Sequence, residues 1–117
     1  MSDITLIVEF AVKDGQAEAY RAASAALREK VDATEPGTSR YDWWLDADGR
    51  RAFNLEVFDD GAALAFHMDN TAPLVGALLD AADLVRVEVL GEVDATGRAA
   101  IDEAATGYFA ALGGISR

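Results

Sequence analysis

The sequence predicts an α+β domain with the element order βαββαβ. Three observations point there. Four short runs alternate with the period of a strand, stretches between them carry apolar residues at helical spacing, and turn residues mark the junctions. The first run, Ile4 to Val12, places Ile4, Leu6, Val8, Phe10 and Val12 on one face and Thr5, Ile7, Glu9 and Ala11 on the other. Lys13-Asp14-Gly15 breaks it, with Asp14 placed to cap the following helix. There Ala17, Tyr20, Ala23, Leu27 and Val31 recur at three and four, and Glu18, Arg21, Arg28, Glu29 and Lys30 take the wet side. Glu35-Pro36-Gly37 ends it, because a proline disfavours helix before it and a glycine permits the turn.

The second run, Ser39 to Asp46, sets Tyr41, Trp43 and Leu45 against Arg40, Asp42, Trp44 and Asp46. Asp46-Ala47-Asp48-Gly49-Arg50 reads as a hairpin turn leading to a third run, Arg51 to Phe58. Its faces are Phe53, Leu55 and Val57 against Ala52, Asn54, Glu56 and Phe58. Asp59-Asp60-Gly61 reads as a cap, followed by a helix from Ala62 to Met68, the breaker Asn70-Thr71-Ala72-Pro73 and a second short helix from Leu74 to Ala82. The fourth strand is expected from Leu84 to Val93, which completes a ferredoxin-like split unit over residues 1–93 with an antiparallel sheet. Residues 94–117 read as a C-terminal helical extension of the same domain. In it Ile101, Ala104, Ala105, Tyr108 and Leu112 share a side before Gly113-Gly114, with Gly107 as a weak point inside.

Composition narrows the function classes. Of 117 residues 51% are hydrophobic, enough for one domain with a core of its own. No cysteine is present, which excludes disulfides, thiolate metal sites and cysteine nucleophiles, and His67 is the one histidine. No metal site is therefore expected. Ten basic residues against 21 acidic ones leave a net charge of −11, which argues against nucleic acid and anionic membranes as partners. The N-terminal stretch lacks a basic segment and meets Glu9 early, so it does not read as a signal peptide, and a cytoplasmic location is expected.

A four-stranded sheet with its helices on one side leaves the other face bare, yet neither face of any strand is uniformly polar. Ile7, Ala11, Trp44, Phe58, Leu84 and Leu90 all lie opposite the most apolar faces, and adjacent Trp43 and Trp44 must point to opposite sides. A homodimer through the sheet face is the simplest cover. A monomer whose extension folds back is the alternative.

The order Pro36-Gly37, Tyr41, a hairpin, Glu56-Val57-Phe58, an acidic helix start, Ala63-Leu64 and His67 resembles the antibiotic biosynthesis monooxygenase domain over residues 4–93. The resemblance implies a dimeric α+β barrel. For enzymatic members it also implies oxygenation of a quinol or polycyclic phenol without metal, flavin or haem, hence no cofactor. Such chemistry suits these residue types: a phenolate or enolate substrate supplies the electron to oxygen. The protein supplies an apolar pocket, a proton acceptor and donors to the anion. Some enzymatic members carry an Asn and, four residues on, a Trp; here Asn54 matches the first and Phe58 stands in the second place, without the indole donor. Haem-degrading relatives use an Asn where Val8 falls and a haem-ligating His where Ala77 falls, so haem is not implied.

Asn54 and His67 are the catalytic candidates. His67 titrates near neutrality and can take a phenol proton, or it packs a helix among Leu64, Phe66 and Met68. Asn54 is costly among apolar neighbours unless its amide is paired, with substrate or within the fold. Tyr41, Trp43 and Phe58 are candidate substrate walls or plain core. Arg86 is a candidate phenolate holder, or it pairs across the sheet with Glu9, Glu56 or Glu88. Three readings follow: a cofactor-independent monooxygenase of a small aromatic, phenolic or quinol compound; a non-catalytic barrel that binds an apolar metabolite; and a structural or interaction dimer whose terminal helix fills the pocket.

Overall fold

A computed structural model describes residues 3–117. The elements are β1 (Ile4–Val12), α1 (Ala17–Thr34), β2 (Thr38–Leu45), β3 (Arg51–Phe58), α2 (Gly61–Ala81), β4 (Ala82–Leu90), α3 (Ala95–Ile101) and β5 (Gly107–Phe109). The strand order is β2-β3-β1-β4-β5. All pairs are antiparallel except β4 with β5, which run parallel, so the sheet is mixed. The first six elements are the expected α+β, ferredoxin-like βαββαβ unit. Among the described residues no helix is long and apolar enough to cross a membrane.

Register decides which side chains meet. Val8 lies opposite Asn54 on β3 and Val87 on β4, and Asn54 lies opposite Trp43 on β2. One face therefore carries Leu6, Val8, Phe10, Trp43, Asn54, Glu56 and Val87 toward the helices, which contribute Tyr20, Leu27, Leu64 and Leu78 to a common core. The other face carries Ile7, Phe53, Leu55 and Val57, none of them fully buried. Near its middle Glu9 accepts from Arg51 Nε at 2.6 Å and Arg86 Nε at 2.9 Å. Arg51 first, and Arg86 with it, hold the Glu9 carboxyl below its ordinary range.

Four expectations are corrected. The two short helices after β3 are a single helix, α2, which runs through Pro73. A proline there removes the N–H that would reach the carbonyl of Asp69, but Asp69, Ala72 and Pro73 are exposed, so the lost bond falls on the solvent side of the helix. Leu74, Val75 and Leu78 beyond it still pack inward and hold the helical path. The cap of α1 is Gln16, without a side-chain bond, instead of Asp14, which pairs with Arg50. At α2 the capping expectation holds, since Asp60 accepts from the Ala63 N–H at 2.9 Å. The fourth strand begins two residues earlier than expected and ends at Leu90.

The fourth correction concerns residues 94–117. The helix there is α3, from Ala95, and Tyr108 lies beyond it on β5. Backbone pairing explains the strand: the Thr106 N–H donates to the Val87 carbonyl at 2.7 Å and the Gly91 N–H to the Phe109 carbonyl at 2.8 Å. Gly107 therefore lies in a strand, where it weakens nothing helical. Helix α3 reaches α2 through two glycines. A Cβ on Gly97 would stand 2.7 Å from Val93 Cγ1 and 3.3 Å from the Gly61 Cα, and one on Gly61 would meet Asp94 Oδ1 at 2.0 Å. Gly97→Ala is accordingly expected to destabilise the fold by about 1–3 kcal/mol in urea unfolding. An unchanged midpoint would show that the contact has slack.

Candidate active site

Between the sheet and α2 lies a cavity of about 380 Å³, walled chiefly by apolar side chains from β1, α1, α2 and β4. Its polar lining comes from Tyr41 and Trp43 on β2, Asn54 and Glu56 on β3, and His67 and Thr71 on α2. The strand period places Asn54 and Glu56 on one face. The helix period puts His67 and Thr71 one turn apart, and Thr71 Oγ1 donates to the His67 carbonyl at 2.8 Å.

His67 is 4% exposed and sits between two carboxylates. Its Nδ1 is 2.8 Å from Glu35 Oε1, and its Nε2 is 3.1 Å from Glu56 Oε1. The second contact lacks hydrogen-bond alignment, and Glu56 Oε1 is left without a hydrogen-bond partner. Glu35, at the C-terminal cap of α1, also accepts from Thr38 Oγ1 at 2.7 Å and Asn70 Nδ2 at 2.8 Å. Burial opposes charge on the imidazole, but Glu56 and then Glu35 outweigh it and raise the His67 pKa above its ordinary value. The ring is thus favoured as the imidazolium. Since both ring nitrogens face carboxylate oxygens, it presents no free lone pair to a metal. Among the described residues no group of acidic or histidine side chains is arranged to hold a metal ion.

Of the six residues singled out from the sequence, Tyr41, Trp43, Asn54 and His67 line the cavity together. Tyr41 meets the His67 ring edge-on at 5.3 Å and Trp43 edge-on at 5.4 Å. Burial first, then Glu56 and Glu35, push its phenol well above the usual range, so it stays a neutral hydroxyl. Trp43 stacks on Phe10 at 6.2 Å. Asn54 Nδ2 donates to the Asp42 carbonyl at 3.1 Å, a bond within the fold. Phe58 is fully buried against the His67 ring at 5.0 Å and supports the site from behind. Arg86 points to the opposite face of the sheet, where it pairs with Glu9 and stands 3.5 Å from Glu88 Oε2.

Sequence reading passed over Glu35 as a helix stop and did not pair Glu56 with His67. A local signal existed for each. A carboxylate at a helix C-terminus opposes the helix dipole, and one between Asn54 and Phe58 sits on an inward face.

Residues 3–74, more than half of the chain, match the family model for antibiotic biosynthesis monooxygenase. The chain belongs to the antibiotic biosynthesis monooxygenase family. Among solved structures it is similar to MupZ from Pseudomonas fluorescens, with a TM-score of 0.85 and 24% identity over 98% of this chain and 94% of that one. SnoaB, a cofactor-independent oxygenase from Streptomyces nogalater, gives a TM-score of 0.68 and 18% identity over 80% of this chain and 96% of that one. Rv0793 from Mycobacterium tuberculosis gives 0.67 and 22% over 79% and 96%. At these identities the likeness is one of fold. No curated protein matches the chain. The MupZ superposition spans nearly the whole chain and so takes in α3 and β5, which lie outside the family match.

The raised His67 pKa has a sign. A folded-state value above the unfolded one, near 6.5, gives stability that is full below about that pH and lost as pH climbs through the folded value. The stability gap between the wild type and His67→Gln is expected to be wider at about pH 6 than at about pH 9 in urea unfolding. Glu56→Gln should lower the His67 pKa read by ring nitrogen NMR; an unmoved titration would separate the two groups.

Proposed function

We propose that this family member is a cofactor-independent monooxygenase that oxidises a small phenolic or quinol substrate with dioxygen in the cavity. The observation that carries the reading is the buried Glu35–His67–Glu56 stack, which places Glu56, whose Oε1 has no hydrogen-bond partner, among the residues lining a largely apolar cavity. The volume of about 380 Å³ suits a compact aromatic compound.

In this reading Glu56, not His67, takes the phenol proton, because the imidazole is held toward its protonated form. The imidazolium steadies the charges on both sides of it, and Glu35 at Nδ1 fixes the angle of the ring. The phenolate passes one electron to dioxygen, and radical recombination forms a carbon–oxygen bond. The proton on that carbon passes to the distal oxygen as the O–O bond breaks, which leaves a carbonyl and hydroxide, and the hydroxide takes the proton held on Glu56 and leaves as water. Asn54 and Tyr41 are neutral polar groups for orienting the substrate oxygens.

Oxygen uptake over a panel of quinols and phenols tests this. Wild-type uptake above buffer is expected with at least one compound, and Glu56→Gln should lower the rate by about 10²–10⁴-fold. Consumption of the same compound at equal rate under nitrogen would overturn the oxygenase reading. Binding across the panel without turnover would leave a metabolite-binding barrel.

We also infer that two copies pair through the face bearing Ile7, Phe53, Leu55, Val57 and the exposed Trp44. Burying such a face is worth several kcal/mol before association costs. Light scattering at micromolar concentration should read a dimer for the wild type and a monomer for Leu55→Asp; a wild-type monomer would refute the pairing.

A further inference from the structure

Tyr41 and Trp43 line not only the cavity but also a second hollow, an open groove of about 530 Å³ between α1 and β2. Hydrogen-bond donors dominate this groove. Arg28 lines it and donates from Nη1 to Ser24 Oγ at 3.0 Å. Among the described residues no carboxylate comes within ion-pair distance of the Arg28 guanidinium. In a chain of net charge −11 most arginines have found a carboxylate, and this one has not. The groove's one acidic lining residue, Asp42, is taken by Arg40. Arg21, almost two helical turns away, also lines the groove, and it pairs with Glu18.

Two buried donors border the same groove without partners, the Tyr20 hydroxyl and the Trp43 indole N–H. Arg28 acts against burial on both the Tyr20 and Tyr41 phenols, which places its charge close to each. A single free guanidinium with neutral donors around it matches one negative charge spread over two oxygens, not two charges. The aromatic wall of Tyr41 and Trp43 leads from that charge to the apolar cavity.

We propose that the groove is an anion subsite, in which Arg28 holds a carboxylate carried by the substrate while the apolar body of that substrate lies in the cavity beyond Tyr41 and Trp43. The substrate is then an aromatic acid in place of a neutral ring. The assignment rests on the cavity being the substrate site, and its test is a binding measurement, so it stands or falls separately from oxygen chemistry.

Trp43 and Trp44, the only two tryptophans, both line the groove, so fluorescence quenching reports on it directly. The probes are naphthoate, its uncharged isostere naphthamide and inorganic phosphate. Naphthoate is expected to bind the wild type about tenfold more tightly than naphthamide, with the preference lost in Arg28→Gln and kept in Arg28→Lys. Naphthoate affinity in the wild type should also fall with added sodium chloride while naphthamide affinity does not, a readout that needs no variant. Equal affinities, a preference that survives Arg28→Gln, or no saturable naphthoate binding up to millimolar concentration would overturn the subsite. Displacement of naphthoate by phosphate at equal concentration would overturn its assignment to a carboxylate. Arg28-dependent binding without oxygen uptake on any compound would keep the subsite and remove the oxygenase.

Discussion

The contact on which the rest of the structure depends is the imidazole of His67 held between Glu35 and Glu56. Each of the three is buried, and each would be costly alone: an isolated carboxylate or imidazolium taken from water loses several kcal/mol of hydration. Together they offset one another, and the positive ring between two negative groups turns three separate penalties into one compact net charge. The arrangement also joins the C-terminal cap of α1, the second turn of α2 and the later half of β3. Thr38 and Asn70, which donate to Glu35, add the start of β2 and the next turn of α2 to the same knot. A change in any of these elements is therefore felt at His67.

That knot sits at one end of an apolar cavity, and this placement links stability to chemistry. Low polarity around Glu56 and His67 makes their mutual attraction strong, and it makes any unmatched atom there expensive. Glu56 Oε1 is such an atom. Its near neighbour is His67 Nε2, 3.1 Å away and out of hydrogen-bond alignment, so charge attraction and not a hydrogen bond offsets its burial. Phe58 behind the ring has no polar atom to offer. It contributes by packing, keeping the imidazole plane at a fixed tilt.

The two faces of the sheet use charge in contrasting ways. On the helix side the charges converge on a cavity; on the other, Arg51, Arg86 and Glu9 close on one another in the middle of a partly apolar surface. Arg86 belongs to this second group. An arginine central in the last strand could serve either face on residue type alone, and the β-bulge in the pairing of β1 with β4 between Glu9 and Phe10 makes the fine register of that strand a tertiary matter. Its partner Glu9 is one of three carboxylates that the sequence hinted at as cross-strand options, and the register selects it by placing the two residues opposite each other.

Four strands, the first long helix, helical structure between the third and fourth strands and their order were legible in the sequence, because alternation and helical spacing are local properties that each segment carries by itself. So was the cap at Asp60, and so was the sharing of a face by Tyr41 with Trp43 and by Asn54 with Glu56, since residues two apart on a strand must share it; the register of β2 on β3 decided that the two pairs meet. The unbroken α2 was not legible: Pro73 reads as a stop wherever the bond it removes would be buried, and only packing shows that its side of the helix is wet. Strand β5 was not legible either, since three residues become a strand by meeting the open edge of β4 and by nothing in their own pattern. The Glu35–His67 pair joins positions 32 apart in the chain, and the groove at Arg28 joins a helix face to a strand. Sequence by itself determined which residues could turn inward; the tertiary structure decided which of them meet, because the energy that makes a buried carboxylate tolerable comes from partners that only the folded chain brings within reach.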